Sequence, residues 1–162
     1  MNNESIQKFS NLLENPKDFD VKIKVGEKPN IKEFKANSIT LSEKSDYFKI
    51  ALSSRWARRE DGFIIFDKPN ISPAVFEILL KYIYTGTFSN NNEVNLLDIF
   101  VAADEIGLFE ISQQITKHWR NEAIGYLKRG EFLKALELSE EILKYCPHNV
   151  EDQESAVLTS TL

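Results

Sequence analysis

The hydrophobic residues of this 162-residue chain change their spacing once, and that change limits the fold more than any other feature. From Phe19 to Val25, apolar and polar residues alternate, which is typical of a half-buried strand. Turn residues at 26–30 indicate that 31–36 return as a second strand. After residue 37 the apolar residues recur at helical spacing. Strands that come first and helices that follow predict an α+β fold.

Capping residues mark the beginnings and ends of the later helices. Ile39 and Leu41 predict a short helical turn, and Ser42 then caps a predicted helix whose apolar side includes Phe48. Ser72 supplies a hydroxyl cap before Pro73, which suits the first helical position, and Gly86 lies where that helix ends. Between these two helices, residues 58–62 predict a charged loop. The four apolar residues at 63–66 then predict a strand that is covered on both faces.

Composition and charge restrict the partners of the chain. Twenty basic and 25 acidic residues give a net charge of −5, without the basic field that binds nucleic acid. No apolar run approaches the ~20 residues of a membrane helix, so we expect protein partners and neither nucleic acid nor membrane. The first residues lack the segments of a signal peptide, and Cys146 is the single cysteine. Both features indicate the reducing cytoplasm or the nucleus.

No group of residues in the sequence has the pattern of a catalytic or metal site. His118 and His148 are not spaced as a metal-binding pair, and no cysteine cluster accompanies them. Cys146 and His148 lie on either side of Pro147, which is no arrangement for a nucleophile and its base. Glycine-rich phosphate loops are also absent. We therefore predict a binding or scaffolding module that is not an enzyme and carries no cofactor.

An ordered series of short motifs resembles the BTB/POZ domain family. The motifs are DFDV at 18–21, FKAN at 34–37, LSEKSDYF at 41–48, VF at 75–76, YIYTG at 82–86, LL at 96–97 and AAD at 102–104. Together they place the domain at residues 17–115, about two thirds of the chain. The resemblance implies a cluster of helices flanked by a short sheet. It also implies self-association and an adaptor role.

The resemblance implies a homodimer that is built partly by an amino-terminal helix at residues 1–16. Its apolar face, together with the acid of the first strand, forms the predicted dimer interface: Ile6, Phe9, Leu12, Leu13 and Asp20. The alternative is a helix that folds back on its own domain. Family dimers often pair that acid with a base, but this chain has Asn37 and Ser38 at the matching positions. We expect Asp20 to lie near a lysine or at the surface.

Many BTB/POZ proteins bind a cullin scaffold and act as substrate adaptors of cullin-RING ubiquitin ligases. The motif that helps this contact is an apolar residue, any residue and then Glu, and it corresponds here to Trp56-Ala57-Arg58. The predicted cullin-type interface consists of Phe48, Trp56, Arg58 and Glu60. Arg58 inverts the charge of the motif, so a non-ligase oligomerisation scaffold without cullin binding stays open. A Trp56 folded over its own helix also stays open.

The last part of the chain resembles one tetratricopeptide repeat. The matching residues lie at 116–149 and include small residues that let two helices approach closely. Trp119, Tyr126 and Ala135 are the predicted packing residues of this α-helical hairpin, with Gly130 in its turn. The alternative is a helical hairpin in which the small residues are coincidental. Residues 150–162, rich in Ser, Thr and Glu, predict a disordered tail.

Overall fold

The computed structural model describes residues 19–90 and 94–145, and it divides the chain into two compact units, 1–112 and 113–162. The predicted amino-terminal helix and the predicted tail lie outside the described residues. The described elements, in chain order, are β1 Val21–Val25, β2 Lys32–Ala36, α1 Ser38–Lys44, α2 Asp46–Ala51, β3 Arg58–Glu60, β4 Phe63–Lys68, α3 Pro73–Thr85, α4 Leu96–Glu105, α5 Phe109–Lys128 and α6 Phe132–Tyr145. A small sheet with helices confirms the α+β prediction.

The sheet is built around two adjacent parallel strands. The strand order is β2-β1-β4-β3, with β1 parallel to β4 and the two outer pairs antiparallel. In β1, every second side chain is buried, as the alternation of the sequence predicts. In β4, the consecutive residues Ile64 and Ile65 are both buried, and consecutive side chains of a strand point to opposite faces. This confirms the prediction of a strand that is covered on both faces.

Residues 58–62 form an outer strand and a tight turn, so the prediction of a charged loop is wrong. Arg58–Glu60 pairs with Phe63–Ile65 as an antiparallel hairpin. Its two turn residues, Asp61 and Gly62, have φ values of 49° and 83°. Positive φ at both central residues defines a type I′ turn, and Asp-Gly is its preferred sequence. That dipeptide is the local signal from which the hairpin is predictable.

Ser45 separates two short helices, whereas the sequence predicted a helical turn that ends before Ser42 and a helix that begins there, so the predicted break lies three residues too early. Its backbone is extended, with φ −146°, so α1 ends there and α2 begins at the next residue. The Ser45 hydroxyl accepts from the backbone N–H of Phe48 and donates to the carbonyl of Ile106. Because the second of these partners lies 61 positions away, the break depends on the tertiary structure. The predicted beginning of α3 at Ser72-Pro73 and its end at Gly86 are confirmed.

The core of the first unit lies between the sheet and helices α1 to α4. Its largest fully buried side chains include Phe48, Phe76, Leu41 and Leu79. Phe76 lies against Phe34 with ring centroids 5.1 Å apart, and Phe48 lies 5.9 Å from Phe66. Burial of each such side chain stabilises the fold by about 1.5–3 kcal/mol. The sheet therefore holds α2 firmly, and it positions the connection from α2 to β3.

The second unit contains an α-helical hairpin. α5 is continuous from Phe109 to Lys128, so the predicted boundary at 115/116 falls inside one helix. Gly130, with φ 75°, ends that helix: its N–H donates to Leu127, and the N–H of Glu131 donates to Tyr126. These two hydrogen bonds to the last carbonyls of the helix form the Schellman motif, which places glycine in the left-handed region. No helix of the described residues is long and apolar enough to cross a membrane.

Candidate functional site

Trp56 is the most exposed large apolar side chain of the described residues, with 72% of its surface accessible. It lies in the connection from α2 to β3. The backbone N–H groups of Trp56 and Ala57 both donate to the carbonyl of Ser53, at 3.1 and 3.0 Å. These bonds hold the connection as a short turn with the indole on the outside. The alternative in which Trp56 folds over its own helix therefore does not hold.

Charged residues of β3 follow this tryptophan in the chain. Arg58 Nε lies 3.2 Å from Glu60 Oε1, and Arg58 Nη2 lies 3.6 Å from Asp67 Oδ2. All three side chains are more than half exposed, so each pair contributes at most about 1 kcal/mol to stability. Their effect is on the surface: both carboxylates offset the charge of Arg58. An exposed aromatic side chain with a charged rim is the usual anatomy of a protein interface.

Phe48 lies away from this surface. Its side chain is fully buried, and its ring contacts Tyr47 and Phe66 at centroid distances of 5.6 and 5.9 Å. It therefore supports α2 from within and contacts no partner directly, which corrects its place in the predicted cullin-type interface. Helical period identifies Phe48 as an apolar-face residue, but a surface role needs accessible area. Trp56, Arg58 and Glu60 have that area.

Asp20 is half-buried, and Ser38 takes the position of its missing basic partner. Asp20 Oδ1 accepts from the backbone N–H of Ser38 at 2.7 Å, and Oδ2 accepts from its hydroxyl at 2.5 Å. The carboxylate thus holds the first residue of α1, where helix N–H groups are free to donate. Asp20 was expected near a lysine or at the surface. Within the described part of the chain it forms no ion pair with a lysine, and it is half-buried. Ile6, Phe9, Leu12 and Leu13 lie outside the described residues.

Replacing Asp20 with alanine should lower the free energy of unfolding by about 1–2 kcal/mol, because the half-buried Ser38 N–H loses its acceptor. Chemical denaturation measures this change. Asp67→Ala is the matched control: its carboxylate makes only a 3.6 Å exposed contact, so the change should stay within about 0.5 kcal/mol. Equal stability of both variants would contradict a structural role for Asp20.

A buried lysine at the end of β4 forms a polar cluster that the sequence analysis missed. Lys68 is only 6% exposed, and its ammonium donates to Glu105 and, at 3.0 Å, to the hydroxyl of Tyr47. Asn70 donates to the other oxygen of Glu105 at 2.7 Å. Burial lowers the pKa of Lys68, but the bonds to Glu105 and Tyr47 outweigh it and raise the pKa above 10.5. The cluster joins β4, α2 and α4.

A cleft of about 470 Å³ lies beside this cluster, between the beginning of α2 and the beginning of α5. Carboxylates dominate its lining, including Glu43, Asp46, Asp104 and Glu110. The hydroxyl of Tyr82 donates to Glu110. Burial, followed by that bond, raises the pKa of Tyr82 to about 12. Among the described residues, no group of three metal-ligating side chains is present.

The helical hairpin contains the three residues predicted to pack it. Ala135 of α6 is buried, and Trp119 and Tyr126 of α5 are half-buried. Two cations lie over the Tyr126 ring: Arg129 Cζ is 4.9 Å and Lys134 Nζ is 5.7 Å from its centroid. Glu131 pairs with both cations, at 2.7 and 2.6 Å. These contacts hold the turn between the two helices.

The sequence of this chain matches a known domain family. The family model for the BTB/POZ domain matches residues 9–123, more than two thirds of the chain. The chain belongs to the BTB/POZ domain family. A BTB/POZ chain is a module for protein–protein interaction and self-association, and the family is generally not enzymatic. The exposed Trp56 with its charged rim is consistent with such a module.

Curated relatives of this BTB/POZ chain include zinc finger and BTB domain-containing protein 44 of mouse and of human. Each is 26% identical over 137 residues, which is 84% of this chain but only 29% of the mouse and 23% of the human protein. The same protein of the frog Xenopus tropicalis is 26% identical over 124 residues, 76% of this chain and 26% of that protein. The BTB/POZ chain thus spans less than a third of the length of these relatives.

Two solved structures share its fold. The BTB domain of zebrafish PATZ1 has a TM-score of 0.57 and 20% identity, covering 70% of this chain and 86% of that one. The BTB domain of human gigaxonin has a TM-score of 0.53 and 17% identity, covering 73% and 93%. These likenesses support the fold of the BTB/POZ chain. They confirm the predicted helical cluster with a short flanking sheet.

Proposed function

We propose that this chain is a protein-interaction adaptor whose partner surface is Trp56 with the exposed charges of β3, and that its partner is a cullin scaffold of a ubiquitin ligase. The observation that carries the proposal is the exposure of Trp56, 72% accessible on a turn fixed by backbone hydrogen bonds. Tryptophan is enriched at the energetic centres of interfaces. A rim of charges then sets specificity more than affinity.

Arg58 is the residue that separates this proposal from its alternative. In the cullin-type motif its position is acidic, but Glu60 lies 3.2 Å from the guanidinium and leaves the local charge close to balance. That supports cullin binding of reduced affinity. The alternative is a non-ligase oligomerisation scaffold that binds no cullin, and the basic side chain at this position favours it.

The names of the relatives favour a second alternative. They are zinc finger and BTB domain-containing proteins, so a transcription-related role in the nucleus is the corresponding proposal for a longer chain. The described residues offer no basic field for nucleic acid, with a whole-chain charge of −5. This role therefore runs through protein partners of the BTB/POZ domain. The compartment we propose is the cytoplasm, with the nucleus as the alternative.

Self-association is the second part of the proposed function. We assign the homodimer contact to Ile6, Phe9, Leu12 and Leu13, together with Asp20 at the beginning of the sheet. The sequence pattern supports this, since four apolar residues recur at helical spacing before Asn15-Pro16. For the hairpin we propose a tetratricopeptide-like unit. The buried Ala135 and the glycine turn at Gly130 support that proposal.

Light scattering after size exclusion, on the full chain alone and mixed with a cullin amino-terminal domain, tests the partner. We expect a dimer that gains mass with the cullin, and Trp56→Ala should weaken this binding roughly 30-fold, as for an interface hot spot. Ile31→Ala, which removes another exposed apolar side chain (48% accessible), should leave binding unchanged. Arg58→Glu restores the acidic motif and should tighten binding roughly tenfold.

Each outcome of that experiment separates the proposals. Full binding by Trp56→Ala would contradict the assignment of the surface. A dimer that ignores the cullin, both unmodified and as Arg58→Glu, would favour the oligomerisation scaffold. A monomer would contradict self-association. Trp56→Ala should unfold at the same denaturant concentration as the unmodified chain, because most of the Trp56 side chain is exposed to solvent and contributes little to the packing of the fold.

A further inference from the structure

Helix α6 has apolar residues on two opposite sides. One side, Ala135, Leu138, Ile142 and Tyr145, is buried or half-buried. The other side, defined here as the outer stripe, consists of Phe132, Leu133, Leu136 and Leu143 and has between 48% and 69% of each side chain accessible. A surface helix normally keeps one side polar, and a helix that is apolar on two sides is usually covered on both. The outer stripe is therefore a contact surface.

Charges beside the outer stripe are arranged for a second copy of the same helix. Glu137 and Lys144 are seven residues apart, two helical turns, so they lie on the same flank of the stripe. Both are exposed, and Glu137 forms no ion pair within the described parts of the chain. In an antiparallel pair of helices related by a two-fold axis, each flank meets the same flank of the partner. Opposite charges on one flank then attract across the axis.

We propose that α6 pairs antiparallel with α6 of a second copy, about a two-fold axis near Glu140. Leu136 and Leu143 lie on either side of this point, each about 5 Å along the helix at 1.5 Å per residue. Leu136 of one copy therefore contacts Leu143 of the partner subunit. Glu137 likewise lies beside Lys144 of the partner subunit. The two contacts repeat by symmetry, so one register satisfies both apolar and charged residues.

Glu140 limits the strength of this contact. It lies at the axis, so the two copies bring equal charges together, while Lys144 of the same helix follows four residues later and reduces the repulsion. A single pair of helices also buries an area at the low end of specific interfaces. The contact is consequently weak and reversible. It depends neither on the amino-terminal segment nor on Trp56, so it goes beyond the proposed adaptor function and adds a second mode of self-association.

Site-specific cross-linking of the full chain tests the two-fold axis directly. In a Cys146→Ser background, Glu140→Cys should form a disulfide between copies, because the axis places the two sulfurs next to each other. Glu141→Cys is the matched control, since one residue is a rotation of about 100° around the helix and points away from the partner. A cross-linked dimer for 140 but not for 141 supports the proposal. Equal yields, or none, would overturn it.

Charge exchange provides the second measurement. At low salt, Glu137→Lys or Lys144→Glu in the Glu140→Cys chain should each lower the cross-linking rate about tenfold, because two equal-charge pairs replace two attractive ones. The double variant and a mixture of the two single variants should both recover the rate. Glu141→Lys makes the same charge change outside the stripe and should have no effect. A mixture that fails to recover would refute the register, whether or not the BTB/POZ dimer forms.

Discussion

Phe48→Ala is expected to lower the free energy of unfolding by about 3–5 kcal/mol, a large part of the roughly 5–15 kcal/mol by which a native domain is stable. The side chain is fully buried between the sheet and α2, with Tyr47 and Phe66 around it. Its removal costs the transfer free energy of the ring and leaves a cavity, since the surrounding helices collapse only in part. Urea unfolding followed by circular dichroism measures the loss.

Ile50→Ala is the matched control for this prediction. Ile50 lies on the same short helix, two residues further on, but its side chain is 64% accessible. Its replacement should change stability by less than about 0.5 kcal/mol. Similar losses for both variants would mean that α2 does not present Phe48 to the core. They would also reopen Phe48 as a partner contact.

Glu105→Ala is expected to cost about 2–3 kcal/mol, because it leaves the buried ammonium of Lys68 without its carboxylate. Lys68→Met keeps the shape of the side chain and removes the charge, so it should cost less, about 1 kcal/mol. Adding Glu105→Ala to Lys68→Met should then change little, since no buried charge remains. The cycle gives a coupling energy of about 2 kcal/mol, and additive losses would contradict the pair.

The same pair predicts a dependence on pH. The pKa of Lys68 in the folded chain is raised above its ordinary 10.5, since the bonds to Glu105 and Tyr47 outweigh the effect of burial. A raised pKa of a base stabilises the folded state fully below 10.5, and this contribution is lost as the pH rises through the folded value. The stability difference between the unmodified chain and Glu105→Ala should therefore be constant near neutral pH and shrink above 10.5. A constant difference would contradict a charged interaction.

Local signals explain which parts of the fold were predictable. The alternation in β1, the serine-proline cap before α3 and the glycine at its end are each settled within a few residues of the chain. The same holds for Gly130, whose left-handed backbone ends α5. The Asp61-Gly62 turn carries an equally local signal. Strand β3 is therefore predictable from the sequence, because Asp-Gly is a preferred hairpin turn. The motif series also predicted the family, which the match over residues 9–123 confirms.

Features that depend on distant partners were not predictable in this way. Ser45 interrupts a helical pattern because its hydroxyl reaches Ile106, 61 positions away. Ser38 replaces a basic residue as the partner of Asp20 through a backbone N–H and a hydroxyl, which no charge pattern indicates. Lys68 resembles any lysine that ends a strand. Only the approach of Glu105 and Tyr47 makes it a buried ion.

The sequence by itself determined the class of the fold, the ends of the helices with strong capping signals, and the BTB/POZ family. Periodicity, caps and glycines act over a few residues, so they can be read from the sequence alone. The tertiary structure decided which apolar residues are core and which are surface. Phe48 and Trp56 carry similar local signals, yet one is fully buried and the other is 72% accessible. The physical reason is that burial depends on what the rest of the chain places against a side chain, and hydrophobicity alone does not contain that information.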